Sequence, residues 1–146
     1  MSTTEQLIFS RVKQWEAAWN LDRESFSMNR FGDLYVQNER LLAYDLTSPD
    51  TPSVIRGYQQ YAAIWEPFMQ RFSPWNIKIN DDLRIQTSDR LAFATFTWKI
   101  WGTTKADQQQ ITGDLHATLV FEQFGETWKI IHEHISSPVR DTANIE

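Results

Sequence analysis

The 146-residue chain contains no cysteine. That absence excludes disulfides, thiol nucleophiles and thiolate metal sites. Glycine and proline are sparse, five of each, and no glycine-rich phosphate loop, nucleophile elbow or metalloprotease helix is present. There is no repeat, linker or low-complexity segment. No apolar run reaches the length needed to cross a bilayer. The first residues, Met1-Ser-Thr-Thr-Glu-Gln, lack the basic and apolar pattern of a secretion signal. A soluble cytoplasmic protein without membrane contact is therefore the expectation. Lys and Arg number 14 against 19 Asp and Glu, which argues against a nucleic-acid partner.

What the chain has is aromatic bulk, with seven Trp and nine Phe. Its length suits one domain over 1–146, with a core from about 5 to 138 and a polar tail at 139–146. Leu7, Ile8, Val12, Trp15, Ala18 and Trp19 recur at three- and four-residue steps and predict a helix capped by Thr3 or Thr4. A second short helix is expected over 23–30. Leu34-Tyr-Val and Leu41-Leu-Ala-Tyr-Asp read as short strands, and 45–52 as a loop. Tyr58, Tyr61, Ala62, Trp65, Phe68, Met69 and Phe72 predict a third helix that opens at Ser53 or Gly57. Pro67 predicts a kink or restart in it. Strands are then expected over 75–86, 91–103, 110–123 and 127–136. Helices ahead of a continuous meander mean an α+β fold. The antiparallel sheet must curve into a cone around three N-terminal helices to bury so much aromatic surface.

The last two strands form a β-hairpin, and all three histidines sit on it. A two-residue loop at Gly125-Glu126 sets Phe124 opposite Thr127. Residues directly opposed share a face. One face then carries Leu115, Ala117, Leu119, Phe121, Trp128, Ile130, His132, His134 and Ser136. The other carries Asp114, His116, Thr118, Val120, Ile131, Glu133 and Ile135. Whether Trp98, or Lys99 with Trp101, looks inward from 91–103 is left open by alternation alone.

Three segments resemble the nuclear transport factor 2-like superfamily, and within it the polyketide cyclase SnoaL-like proteins. They are Ala18-Trp-Asn-Leu-Asp22, Arg56-Gly-Tyr-Gln-Gln-Tyr61, and His116-Ala-Thr-Leu-Val-Phe121 followed by Trp128-Lys-Ile-Ile-His-Glu-His-Ile-Ser136. The last is also similar to the final strand of the calcium/calmodulin-dependent kinase II association domain. The resemblance covers about Glu5 to Pro138 and implies a cystatin-like α+β roll. It leaves the reaction open, since one fold hosts many functions. By analogy with the ketosteroid isomerase branch, the face of Asp114, His116, Thr118, Ile131, Glu133 and Ile135 lines the pocket. Leu119, Phe121, Trp128 and Ile130 then form the outer face, suited to a homodimer interface. Thr118 stands where that branch has a proton-donating aspartic acid, and Asp45 lies near its base position. A hydroxyl cannot replace a carboxylic acid, so steroid isomerisation by that mechanism is not expected. His116 stands where many SnoaL-like sequences carry Arg.

The candidate catalytic residues are His116, Asp114 and Glu133. His116 could move a proton near neutral pH. Asp114 could hold its tautomer, and a buried Glu133 could act as acid or base. The plainer alternative is that His116 and Glu133 bond each other and close a polar gap. Trp19, Tyr35, Asp45, Tyr61, Trp65, Thr118, Ile131 and Ile135 are the candidate ligand-binding residues. His132 and His134 have metal-like spacing, but His116 points away from them in this register. No metal or cofactor is expected. The expected partner is a small apolar or aromatic molecule, met with cofactor-free isomerase, cyclase or dehydratase chemistry. The alternative is a non-catalytic dimerisation or carrier module. An open cavity of roughly 300 Å³ or more, lined by His116 and Glu133, would favour the first. A cone closed by Trp and Phe would favour the second.

Overall fold

The computed structural model describes residues 1–46 and 53–138. Most of the expected loop at 45–52, and the tail at 139–146, lie outside the described residues. Helix α1, Thr3–Trp19, turns Ile8, Val12, Trp15, Ala18 and Trp19 into the core, the stripe of one helical face. Its cap is Ser2, ahead of the expected Thr3 or Thr4. Ser2 Oγ accepts from Glu5 N–H at 3.1 Å, and the Glu5 carboxylate accepts from Ser2 N–H at 3.2 Å. That reciprocal capping box satisfies two otherwise orphaned donors. The helix expected over 23–30 is reduced to one 3₁₀ turn, Met28–Phe31. Arg23, Glu24 and Ser25 are exposed there and offer no apolar stripe to bury. Helix α2, Tyr58–Met69, buries Tyr61, Trp65 and Met69. It runs through Pro67 without a restart, because in the last turn a proline removes only one helical hydrogen bond.

Among the described residues the sheet has seven strands: β1 Leu42–Tyr44, β2 Val54–Arg56, β3 Phe72–Ile79, β4 Arg84–Ser88, β5 Leu91–Thr104, β6 Gln110–Phe124 and β7 Thr127–Ser136. Their order is β2-β1-β7-β6-β5-β3, with β4 also beside β5. The strand expected over 75–86 is therefore two strands. β4 pairs with Leu91–Thr95 and β3 with Trp98–Thr104, successive stretches of one strand. The residues before Gly57 form strand β2 rather than a helix start. One pairing departs from the expected antiparallel meander: β1 runs parallel to β7, with Ala43 opposite Glu133. The fold is α+β, a curved mixed sheet around the helices. Tyr35 joins it by a parallel bridge to Ile130, with Val36 N–H donating to Ile130 O at 3.0 Å.

The hairpin turns at Gly125, whose φ of 64° suits the first position of a type II′ turn. Phe124 faces Thr127 as the spacing predicts, and Phe121 faces Ile130. The next pair is Val120 with His132, so Ile131 is the extra residue of a β-bulge. A bulge adds one residue to one strand, so beyond it the strand's alternation reverses relative to its partner. Glu133 and Ile135 thereby join Leu119 and Ala117 on one face, and all four are buried. His132, His134 and Ser136 go to the other face, opposite Val120, Thr118 and His116.

Independently of the bulge, the faces expected by analogy are inverted on β6. Leu115, Ala117, Leu119 and Phe121, with Trp128 and Ile130, form the core rather than the outer surface. Asp114, His116 and Thr118 look outward. Trp98 faces in, whereas Lys99 and Trp101 face out.

A carboxyl pair beneath an aromatic cavity

Glu133 is 1 % exposed, and three donors from three separate segments converge on it. Trp15 Nε1–H, from α1, donates to Oε1 at 3.0 Å. Tyr35 OH donates to the same oxygen at 2.5 Å, and Tyr61 OH, from α2, donates to Oε2 at 2.6 Å. Hydrogen bonds to a charged group contribute about 1.5–3 kcal/mol each and are the means by which a buried carboxylate is tolerated. Burial, and next the negative charge of Glu133, push the Tyr35 and Tyr61 hydroxyls well above the usual phenol range. Both therefore remain protonated donors.

The second carboxyl is Asp45, 6 % exposed. It follows β1, and its N–H continues the ladder to Ser53 O at 2.9 Å. Because β1 is parallel to β7, Ala43 lies opposite Glu133. Asp45, two residues further, comes to the same face diagonally. Burial first, then the charge of the nearby Glu133, push the Asp45 carboxyl well above the usual carboxylate range. Asp45 Oδ1 accepts from Leu46 N–H at 3.0 Å. The Trp65 indole favours the Asp45 anion slightly, yet its N–H makes no hydrogen bond.

Above the two carboxyls is a cavity of about 180 Å³. Five of the seven tryptophans line it: Trp15, Trp19, Trp65, Trp75 and Trp98. Trp15 and Trp98 pack edge to face, their ring centres 5.1 Å apart. Gly102 allows Trp75 its place, since a Cβ there would sit 2.5 Å from Trp75 Cε3. Among the described residues, four buried side-chain polar atoms lack a hydrogen-bond partner: Trp19 Nε1, Trp65 Nε1, Trp98 Nε1 and Asp45 Oδ2. All four belong to residues that line this cavity. An unpaired buried polar group costs about 1–3 kcal/mol.

The sequence candidates separate into two sets. Trp19, Asp45, Trp65, Glu133 and Ile135 line the cavity. Tyr35 and Tyr61, expected to bind the ligand, stand behind the cavity, bonded to Glu133. Asp114 is exposed and paired with Lys99 at 2.9 Å. His116 is exposed and opposite Thr97 and Ser136. Thr118 lies on the same outward face, and Ile131 occupies the bulge. His116 and Asp114 therefore do not meet Glu133, because the sheet lies between them. At about 180 Å³, lined by Glu133 but not His116, the cavity is smaller than the roughly 300 Å³ set above as favouring a ligand pocket, while Trp and Phe fill part of the cone without closing it. Trp15, Trp75 and Trp98 were not singled out by the sequence as site residues. The signal for Trp15 was its place on the stripe of α1, which is equally a signal for plain core.

His132, His134 and His116 share the outer face after the bulge. His132 Nδ1 lies 2.8 Å from Leu42 O, and Tyr44 packs edge-on against both His132 and His134. No three His, Asp or Glu side chains among the described residues are grouped to hold a metal. No described helix is long and apolar enough to cross a membrane.

Solved structures share this architecture. A nuclear transport factor 2-like superfamily protein of Salmonella enterica superposes with a TM-score of 0.80 at 18% identity, covering 94% of this chain and 93% of that one. A candidate dehydratase of the same family from Streptomyces avermitilis gives 0.75 at 15% identity, covering 94% and 98%. The association domain of C. elegans CaMKII gives 0.62 at 10% identity, covering 92% and 95%. At these identities the likeness establishes the fold alone. No curated protein sequence matches the chain. The sequence model of the SnoaL-like domain matches residues 12–140, and with the fold and its buried site in view, the chain belongs to the SnoaL-like domain family.

Proposed function

We propose that this SnoaL-like domain binds a compact ring compound and performs cofactor-free acid–base chemistry on it, with Asp45 as proton donor and Glu133 as base. One observation carries this reading: two buried carboxyls lining an aromatic cavity, one pushed above the usual carboxylate range by burial and its neighbour's charge, the other ringed by three donors. Paired carboxyls in contrasting environments are the usual source of an acid and a base at one site. An apolar cavity of about 150 Å³ admits benzene, so a space of about 180 Å³ suits one ring and rejects steroid-sized polycycles. Likeness to a candidate dehydratase agrees with proton-transfer chemistry. His116 and Asp114, on the outward face, have no part in it.

For a ring ketone the step balances as follows. Glu133 takes a proton from the carbon beside the carbonyl, and the C–H electron pair becomes the enol double bond. The carbonyl π pair takes the Asp45 proton. Reversal in deuterated water returns a deuteron to carbon. The test is α-proton exchange of cyclohexanone followed by NMR. Wild-type protein accelerates exchange, Asp45→Asn and Glu133→Gln abolish the acceleration, and His116→Ala retains it. Equal rates in wild type and Asp45→Asn would sink the reading.

A homodimer through the outer sheet face is the second element of the proposal. Thr95, Thr118, His134, Tyr44 and Val54 form one row across that face, beside a row of Phe93, Val120 and His132. Tyr44, Val54 and Phe93 are each close to 40 % exposed, and apolar side chains so aligned suit self-association. A strictly monomeric mass by light scattering would remove this element.

A further inference from the structure

The unpaired donors around the cavity carry information about its ligand, given the pocket reading above. Trp19, Trp65 and Trp98 come from α1, α2 and β5 and line the cavity from three sides of the cone. Their N–H groups have no acceptor. Buried polar groups in folded proteins are almost always hydrogen-bonded, so three exceptions on one cavity wall call for a common cause. A ligand with acceptor atoms on its ring edge supplies one. The same described lining contains no Lys, Arg or His and already holds the Glu133 carboxylate. An anionic ligand would enter beside a buried like charge with no cation to offset it. A hydrocarbon would leave all three donors unpaired.

We propose that the ligand of this cavity is an uncharged, single-ring compound carrying two or more carbonyl, hydroxyl or ether oxygens, and that these oxygens accept from the indole N–H groups of Trp19, Trp65 and Trp98. The site selects by hydrogen-bond acceptance within an otherwise apolar enclosure. The penalty on the wrong ligand comes from donors left bare.

The full-length protein, labelled with ¹⁵N, is titrated with cyclohexane-1,4-dione, toluene and benzoate, and the indole N–H resonances are followed. The dione binds tighter than toluene by about tenfold or more, and benzoate does not bind. The indole protons of Trp19, Trp65 and Trp98 move downfield with the dione, while that of Trp128, away from the cavity lining, stays in place. Trp98→Phe weakens the dione by about tenfold more than it weakens toluene. Toluene binding as tightly as the dione, without downfield shifts, would overturn this inference and leave the pocket reading standing. Benzoate binding tighter than the dione would overturn the uncharged class. Equal loss of both neutral probes in Trp98→Phe would reduce that indole to shaping the wall and overturn its assignment as a donor. Failure of all three compounds to bind would bring down the pocket reading together with this one.

Discussion

Replacing Asp45 by asparagine should flatten the pH dependence of stability while keeping the shape of the site. In the unfolded chain an aspartate titrates near ~3.9. In the folded protein burial and the neighbouring Glu133 raise that value well above the ordinary one. Between the two values the native state holds one proton that the unfolded state has released. Stability therefore falls as pH rises, by about 1.4 kcal/mol per pH unit. The window opens near pH ~4 and closes at the folded value. With a urea slope of about 2 kcal/mol per molar, the unfolding midpoint of the wild type drops by about 0.7 M per pH unit from this group. The amide of the Asp45→Asn variant cannot titrate, yet it keeps the size and shape of the side chain. The assay is urea unfolding of both proteins across the mildly acidic to neutral range. The difference between the curves isolates Asp45 from every other titrating group. Parallel curves would mean that Asp45 is ionised in the folded protein, and the proton-donor reading would fail with them.

Three further outcomes follow from the same geometry. Tyr61→Phe removes the 2.6 Å donor to Glu133 and should destabilise by about 1.5–3 kcal/mol in chemical unfolding; a loss under about 0.5 kcal/mol would mean the hydroxyl is not holding a charge. Gly102→Ala sets a Cβ where Trp75 now lies at 2.5 Å, so Trp75 shifts into the cavity. That variant should lose about 1–3 kcal/mol and, more tellingly, all probe binding by calorimetry; retained binding would show that the strand moves instead. His116→Ala should change stability by less than about 0.5 kcal/mol and leave ligand binding and exchange untouched, and any loss of exchange would return His116 to the mechanism.

Much of the architecture could be read directly from the chain. The stripe from Ile8 to Trp19 and the alternation of β6 and β7 are local patterns, and each is the direct record of one buried face. The hairpin turn was equally legible, because Gly125-Glu126 leaves the backbone few ways to reverse. Glu133 was named as a candidate acid or base, flanked by Ile131 and Ile135 at alternate positions of its strand. Asp45 was visible only as an approximate match near the edge of a loop. The sequence assigned both to one pocket but not to each other, because a parallel pairing between a three-residue strand and the last strand leaves no periodicity behind.

The misassigned faces have two causes. Which side of β6 looks inward was inferred by analogy alone, and the buried side is the other one; separately, the bulge at Ile131 moves Glu133 and Ile135 off the face of Thr118 and onto that of Leu119. A bulge adds no distinctive residue, only an extra isoleucine among β-branched neighbours, so nothing in the composition announces it. By itself the sequence determined the helical and extended segments, the α+β class and the aromatic character of the core, since these follow from local spacing and hydrophobicity. The tertiary structure alone decided that Glu133 turns in while His116 turns out, that Asp45 meets Glu133, and that three indole donors remain unpaired. Those facts depend on register and on pairing between distant strands, where the extra residue Ile131 reverses what alternation predicts.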